Sequence, residues 1–340
     1  MLKDDILNEL KNRGDYCSGQ ELCGRFGVTR TAVWKAVSKL KQEGYNIEAR
    51  QNRGYRLLSG DDVMNEAELR RALEGNDFLK DCLFFPEIDS TNLEVKRRAE
   101  AGAEAPLLIA ADTQTAGRGR RGRTWISPPG NDIYMSLLLR PPIRPEHASM
   151  LTIVAALAVA GGIREETGLE AGIKWPNDAV VNGKKICGIL TEMSTDMEEI
   201  SYVVPGIGIN VNNRSFPEEI AYRATSVRLE VQSAGMRNGA SEMTIDRAQL
   251  LASVLHNFRQ YYAVFCEDGS MGALREEYMS ILAGLGSTVV IEDPAGSYSG
   301  KCLGIDERGR LLIEREDGTS ARVSSGEVSV RGIYTISKEL

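Results

Sequence analysis

A chain of 340 residues with 42% apolar residues, 26% charged residues and a net charge of −7 has room for two or three domains and the composition of an ordinary soluble protein. Its six cysteines (Cys17, Cys23, Cys82, Cys187, Cys266, Cys302) form no Cys-x-x-Cys pair, which argues against a disulfide framework or a zinc site and predicts a reduced, cytoplasmic setting. The two histidines, His147 and His256, sit in no nucleophile motif, so Ser-His-Asp and Cys-His chemistry are poor explanations.

Charge is unevenly spread. Residues 1–58 hold eleven Lys and Arg against seven Asp and Glu, although the whole chain is acidic. Nucleic acid would therefore meet the N-terminus and not the whole protein. The charged start Met-Leu-Lys-Asp-Asp predicts no signal peptide. Leu2, Ile6, Leu7 and Leu10 share a face of a first helix ending near Gly14. Ser18 caps a short helix from Gly19 to Arg25, and Gly27 makes the turn. Thr29 caps a third helix whose Val33, Val37 and Leu40 face a core. This is a helix-turn-helix pattern over 19–38. Thr29, Arg30, Thr31, Trp34 and Lys35 are its candidate DNA contacts, although Trp34 would equally suit a core. Residues 45–50 and 55–58 flank Gln51-Asn52-Arg53-Gly54 and read as a hairpin wing carrying Arg53. A small helical bundle with a solvated basic face is the alternative, and the wing argues against it.

A polar linker, Ser59 to Asn65, leads to a helix from Glu66 to Leu73. Leu83-Phe84-Phe85 reads as a strand, followed by Asp89-Ser90-Thr91-Asn92 and a helix from Leu93 to Ala101. Ser90 or Thr91 either caps that helix or lines a ligand pocket with Asn92. Two apolar strands, Leu107 to Ala111 and Ile133 to Leu139, flank Gly117-Arg-Gly-Arg-Arg-Gly-Arg-Thr-Trp125. Glycine lets backbone N–H groups approach a ligand closely, and arginine offers forks that match phosphate and carboxylate oxygens. An RG-rich tail is the alternative. Core strands on both sides favour a substrate loop.

A buried helix from Ser149 to Glu166 follows; its most apolar run, Met150 to Ala160, is too short to span a bilayer. Lys174-Trp-Pro-Asn-Asp178 is a rigid turn, and Asn182-Gly183 a tight hairpin turn that aims either Lys184 or Lys185 inward. Tyr202 to Val204 is a strand leading to Gly206-Ile-Gly208-Ile-Asn210, which lacks the strand–turn–helix context of a dinucleotide site. Asn212 to Gly239 is polar and irregular. Helices are expected at Asp246 to Phe265 and Met271 to Leu282. The tail then turns to short strands at Thr288 to Ile291, Tyr298 to Ile305, Leu311 to Glu314, Ser320 to Val323 and Val328 to Arg331, a small barrel of SH3 size.

Taken in order, the arginine loop, Lys174 to Asp178, Gly206 to Asn210 and the terminal barrel with Ser325-Gly326-Glu327-Val328-Ser329 resemble the biotin protein ligases, of the bifunctional kind that also represses biotin genes. The resemblance implies an α/β (α+β) chain. It would have an N-terminal winged helix-turn-helix (1–60), a central mixed-sheet domain of the biotin/lipoate ligase type (65–283) and an SH3-like barrel (284–340). It implies synthesis of biotinoyl-5′-AMP from biotin, ATP and Mg²⁺, and transfer to a biotin carboxyl carrier domain of acetyl-CoA carboxylase. Operator DNA and a homodimer formed on adenylate binding are the other implied partners, with no membrane role.

By the same resemblance Ser90, Thr91, Asn92, Gln114, Arg118, Gly119, Arg120 and Lys185 contact biotin, with Gln114 at its ureido group. Arg118, Arg120, Arg121, Lys185 and Asn210 hold the adenylate, and Lys185 and Arg118 are catalytic. Lys174, Asp178, Gly206 and Gly208 lie close by. The protein fixes no metal of its own; Mg²⁺ would arrive with ATP, with Asp178 a candidate ligand or acceptor-lysine orienter. Residues 212–239 contain no tryptophan, which leaves the cover of the adenine open. A lipoate or octanoate ligase of the same fold, and a metabolite-sensing transcription factor without ligase activity, are the alternatives. The arginine loop and the winged helix speak against the first, and the presence of every expected cation speaks against the second.

Overall fold

The computed structural model describes residues 2–58, 62–236, 244–292, 296–324 and 327–330. Ser59 to Asp61 of the expected linker, residues 237–239 of the polar stretch, Ser325-Gly326 and Arg331 lie outside the described residues.

The N-terminal unit is α1 (Leu2–Arg13), α2 (Gly19–Phe26), α3 (Arg30–Gln42) and the antiparallel hairpin β1 (Ile47–Arg50) and β2 (Gly54–Leu57). Ser18 and Glu21 form a reciprocal capping box at α2, and Gly27 ends it at φ 64°, where only glycine is unstrained. Thr29 accepts the Ala32 N–H to start α3. Ile6, Leu10, Leu22, Val33, Val37, Leu40 and Ile47 close a core of their own. Trp34 is 59% exposed, so it belongs to the outer face of α3 and not to the core.

A tight joint holds this unit to the next. Val63 packs on the N-terminal core while Met64 enters the central one. In α4 (Glu66–Ala72), buried Glu68 accepts from Lys11 Nζ and Tyr45 Oη, both at 2.5 Å. Burial alone would raise the Glu68 carboxyl. Hydrogen bonds from Lys11, Tyr45 and Arg71 outweigh it and hold the group below its usual value.

The central domain is a seven-stranded mixed sheet. Its strands are β3 (Asp81–Phe85), β4 (Leu107–Ala111), β5 (Ile133–Leu138), β6 (Gly172–Lys174), β7 (Asp178–Val181), β8 (Lys184–Asp196) and β9 (Glu199–Ile209). The order is β3-β4-β5-β9-β8-β7-β6, with only β3 and β4 parallel. α5 (Thr91–Glu100) sits between β3 and β4 in sequence. Strands β4 and β5 are buried at every residue, as expected of apolar runs covered on both faces. α6 (Leu151–Thr167) is almost wholly apolar as far as Ile163 and ends in the polar turn Arg164 to Thr167. With the turn before it, it is long and apolar enough to cross a bilayer, yet most of it is buried inside the protein, the mark of a core helix. The small helices α7 (Glu218–Ala221) and α8 (Val227–Ser233) precede the long α9 (Arg247–Asp268). Fully buried Arg247 there bonds to Asp62 of the joint and to Asp112 at 2.7 Å.

The second expected C-terminal helix is shorter than the sequence suggests. Only α10 (Arg275–Ser280) is helical, because the chain after it is drawn to β6: the Ile281 carbonyl accepts the Ile173 N–H and the Ala283 N–H donates to the Ile173 carbonyl, each at 2.8 Å. The tail forms β10 (Thr288–Glu292), β11 (Tyr298–Ile305), β12 (Leu311–Arg315), β13 (Ser320–Val323) and β14 (Glu327–Val330), an antiparallel sheet ordered β13-β12-β11-β10-β14. Its core is continuous with that of the central domain. Trp175 Nε1 donates to Gly309 O at 2.9 Å, tying the Lys174–Asp178 turn to this sheet.

Candidate functional site

The start of α5 opens a buried polar pocket. Ser90 occupies the N-cap position without a side-chain cap bond, so these hydroxyls do not serve as the helix cap. The Thr91 backbone N–H and hydroxyl instead both donate to Gln114 Oε1, at 2.9 and 3.1 Å. Gln114 Nε2 donates to Ser127 Oγ at 3.0 Å. Ser136 Oγ, on β5, lies 2.7 Å from Thr91 Oγ1 and 2.6 Å from Asn92 Oδ1. Its one proton can serve only one of these acceptors. Asn92 Nδ2 reaches Glu192 Oε2 at 2.9 Å. Gly206 gives Asn92 its place, since a Cβ there would overlap the amide oxygen.

The arginine loop folds back on itself. Gly119 N–H donates to Arg123 O at 2.7 Å and Trp125 N–H to Gly117 O at 3.0 Å. Arg121 and Gly122 turn the chain at φ 56° and 73°. Arg118 Nη1 points to Glu192 Oε1 at 3.3 Å. Arg120 Nη1 donates to Asn177 Oδ1 at 2.6 Å. Burial would raise the Glu192 carboxyl, but bonds from Lys96 and Asn92 and the charges of Lys96 and Arg118 leave it lowered. Glu192 is therefore an anion wedged between the pocket and the loop.

Of the two hairpin lysines, Lys185 is the inward one. The turn is Asn182 at φ 49° and Gly183 at φ 73°, the left-handed pair of a type I′ hairpin. Lys185 Nζ donates to Asp178 Oδ1 at 2.6 Å and stands 5.5 Å from the centroid of the Trp125 ring. Asn177 Nδ2 also reaches Asp178 Oδ1, at 3.1 Å. Lys174 lies opposite Asp178 in the β6–β7 register. Gly188 and Gly208 face each other across β8 and β9 and make a bare floor under Trp125. A Cβ on either would come within 2.8 and 2.6 Å of the indole. Trp125 Nε1 is buried with no hydrogen-bond partner among the described residues. Asn210 closes β9, and its amide donates to Thr225 O at 3.0 Å.

The residues chosen from sequence thus fall into two adjoining sets. Ser90, Thr91, Asn92 and Gln114 form the polar pocket. Arg118, Gly119, Arg120, Lys174, Asp178 and Lys185 lie around the loop and turn; Gly208 lies under Trp125, and Gly206 lies against Asn92 of the pocket. Arg121 is at the exposed tip of the loop, and Asn210 is at the strand end. Sequence reasoning missed Ser127, Ser136, Asn177 and Glu192, and took Trp125 only as the end of a motif. The signal for Trp125 was the pair of glycines on neighbouring strands. A separate polar cleft of about 290 Å³ near Leu73, Glu165 and His256 shares no residue with either set.

Cations gathered over a polar pocket, on a mixed sheet joined to a winged helix, define a site for an anionic ligand in a chain with a DNA-binding domain. Comparison with known proteins narrows this. The biotin/lipoate A/B protein ligase family matches residues 84–210, an HTH domain matches 3–56, and the biotin protein ligase C terminal domain matches 284–331. The chain is similar to the bifunctional ligase/repressor BirA of Bacillus subtilis, 37% identical over 320 residues, spanning 93% of this chain and 95% of that one. The Escherichia coli protein of that name is 29% identical over 326 residues, 96% of each chain. A biotin protein ligase from Aquifex aeolicus, solved with biotin and ATP, is similar in structure with a TM-score of 0.62 and 32% identity, covering 74% of this chain and 98% of that one. The chain belongs to the biotin/lipoate A/B protein ligase family.

Proposed function

We propose that this protein joins biotin to ATP as biotinoyl-5′-AMP and passes the biotin to a lysine of a biotin carboxyl carrier domain, as in acetyl-CoA carboxylase. The observation that carries the reading is the position of Lys185, Arg118 and Arg120 beside the Thr91–Gln114–Ser136 pocket. In the first step a biotin carboxylate oxygen attacks the α-phosphorus of ATP and pyrophosphate leaves. The two anions repel, and fixed cations lower that cost as charge develops. In the second step the lysine amine attacks the mixed-anhydride carbonyl and AMP leaves. Water would destroy the anhydride, so closure of the arginine loop protects it.

The pocket suits a ureido group, which both donates and accepts. The over-subscribed Ser136 hydroxyl leaves one acceptor, Thr91 Oγ1 or Asn92 Oδ1, for a ligand N–H. A dithiolane or alkyl chain would leave that lining unpaired, which disfavours lipoate and octanoate. Trp125, over the bare glycine floor with an unsatisfied N–H, is the aromatic surface available to the adenine. Among the described residues no three His, Cys, Asp or Glu gather as a metal cage. Mg²⁺ would be held chiefly by phosphate oxygens, with Asp178 as the carboxylate at hand.

The winged helix adds repression of biotin genes, with the adenylate as corepressor. One such unit makes few phosphate contacts, so two half-sites held by a homodimer are needed. An ordered loop can join a subunit interface that a mobile one cannot. The work is cytoplasmic, where ATP, carrier protein and DNA meet. The test offers a purified carrier domain, ATP and Mg²⁺ with biotin, lipoate or octanoate, and reads the carrier by mass. A biotin adduct alone is the expected result; a lipoyl or octanoyl adduct alone would move the chain to the other branch of the family.

A further inference from the structure

The wing is closed against the segment that joins α1 to α2. Cys17 and Tyr55 exchange both backbone hydrogen bonds, each at 2.8 Å. Gly54, at φ 103°, permits this approach, because a Cβ there would overlap the Cys17 carbonyl. The closure fixes Tyr16 beside the wing, and three wing guanidiniums lie around its ring. Arg53 is 4.8 Å from the centroid, Arg50 5.4 Å and Arg56 5.9 Å. Glu48 ties the group together: the Tyr16 hydroxyl donates to Oε2, and Arg50 Nε donates to Oε1 at 2.7 Å. Arg56 Nε is buried with no acceptor among the described residues.

Three long, like-charged side chains would ordinarily spread into solvent. Here a ring quadrupole draws them to one spot, and one carboxylate leaves the group with excess positive charge. Such a cluster is preorganised for several anions at once, the repeating phosphates of a duplex. We propose that Tyr16 is the platform that assembles Arg50, Arg53 and Arg56 into a single clamp on the DNA backbone. The clamp supplies affinity and carries no base readout. This inference rests on the DNA-binding reading of the winged helix.

The experiment is a double-mutant cycle on the full chain, read by fluorescence anisotropy with a labelled random-sequence duplex across a salt series. Tyr16→Leu weakens binding about five- to tenfold, the scale of one or two exposed cation–π contacts. Changing Arg50, Arg53 and Arg56 together to alanine weakens it further and lowers the salt slope by about 0.9 for each phosphate that is no longer neutralised. In that triple-alanine background Tyr16→Leu has no further effect. Tyr16→Phe, which keeps the ring, retains most of the affinity, and circular dichroism melts check that each variant folds. Unchanged binding by Tyr16→Leu, or an equal loss in the triple-alanine background, overturns the platform. Should Tyr16→Leu fail to fold, wild-type affinity in the triple-alanine variant overturns the clamp. A wild-type chain that shows no salt-dependent duplex binding refutes the DNA reading itself and leaves a different signature.

Discussion

Lys185 Nζ lies 2.6 Å from Asp178 Oδ1, and the pair joins the Asn182-Gly183 hairpin to the turn that follows Trp175. The carboxylate aims the ammonium where a phosphate can take it over. Lys185→Ala is expected to slow adenylate formation by about 2–4 kcal/mol, the scale of one preorganised electrostatic contact. Biotin affinity changes less, and Lys184→Ala leaves the rate near wild type. Single-turnover kinetics with labelled ATP, paired with biotin calorimetry, separate the two effects.

The glycine floor predicts a nucleotide-side defect. A Cβ at Gly208 would stand 2.6 Å from Trp125 Nε1, so Gly208→Ala displaces the indole at about 1–3 kcal/mol, the usual range for overpacking. KM for ATP rises while that for biotin is little changed. Gly206→Ala meets Asn92 Oδ1 instead and gives the reverse pattern in steady-state kinetics with each substrate varied.

The loop is expected to change its protease sensitivity. Arg118, Arg121 and Arg123 are exposed, and Gly117, Gly119 and Gly122 lower the cost of motion. Trypsin should cut after these arginines in the ligand-free chain and more slowly once biotin and ATP are added. Mass spectrometry of the fragments reads the protection, and equal cutting in both samples would remove the loop from the account of anhydride protection.

The domain joint should loosen in acid. The folded-state Glu68 carboxyl lies below its ordinary value of 4.5. Its stabilising contribution is therefore complete above that pH and is lost as the pH falls towards the folded value. Glu68→Gln lowers the melting temperature at neutral pH, since Lys11 and Arg71 lose their shared anion. It also flattens the acid limb relative to wild type. Differential scanning calorimetry over a pH series checks both statements.

Much of this was legible in the sequence because local chemistry dictated it. Ser18, Gly27 and Thr29 punctuate the helix-turn-helix, and the all-buried β4 and β5 read as apolar runs. The choice between Lys184 and Lys185 was not legible. The register of β7 on β8 shifts between Ala179 and Val180, and such a shift changes which side chain faces the site. Trp125 was hidden for a different reason. Its floor comes from Gly188 and Gly208, brought together only by the pairing of β8 with β9. Glu192 likewise meets Asn92 and Arg118 across strands that no local pattern connects. The end of α10 depended on tertiary bonds that Ile173 makes to Ile281 and Ala283.

Activation of biotin with ATP by the Lys185–Asp178 pair and the arginine loop can be isolated as a half-reaction. Biotin-dependent exchange of labelled pyrophosphate into ATP tests it most directly, because exchange requires reversible adenylate formation and neither carrier protein nor DNA. Exchange is expected with biotin, little is expected with lipoate, and Lys185→Ala should lose most of it. Absence of biotin-dependent exchange in the wild-type chain, or undiminished exchange in Lys185→Ala, would contradict this assignment.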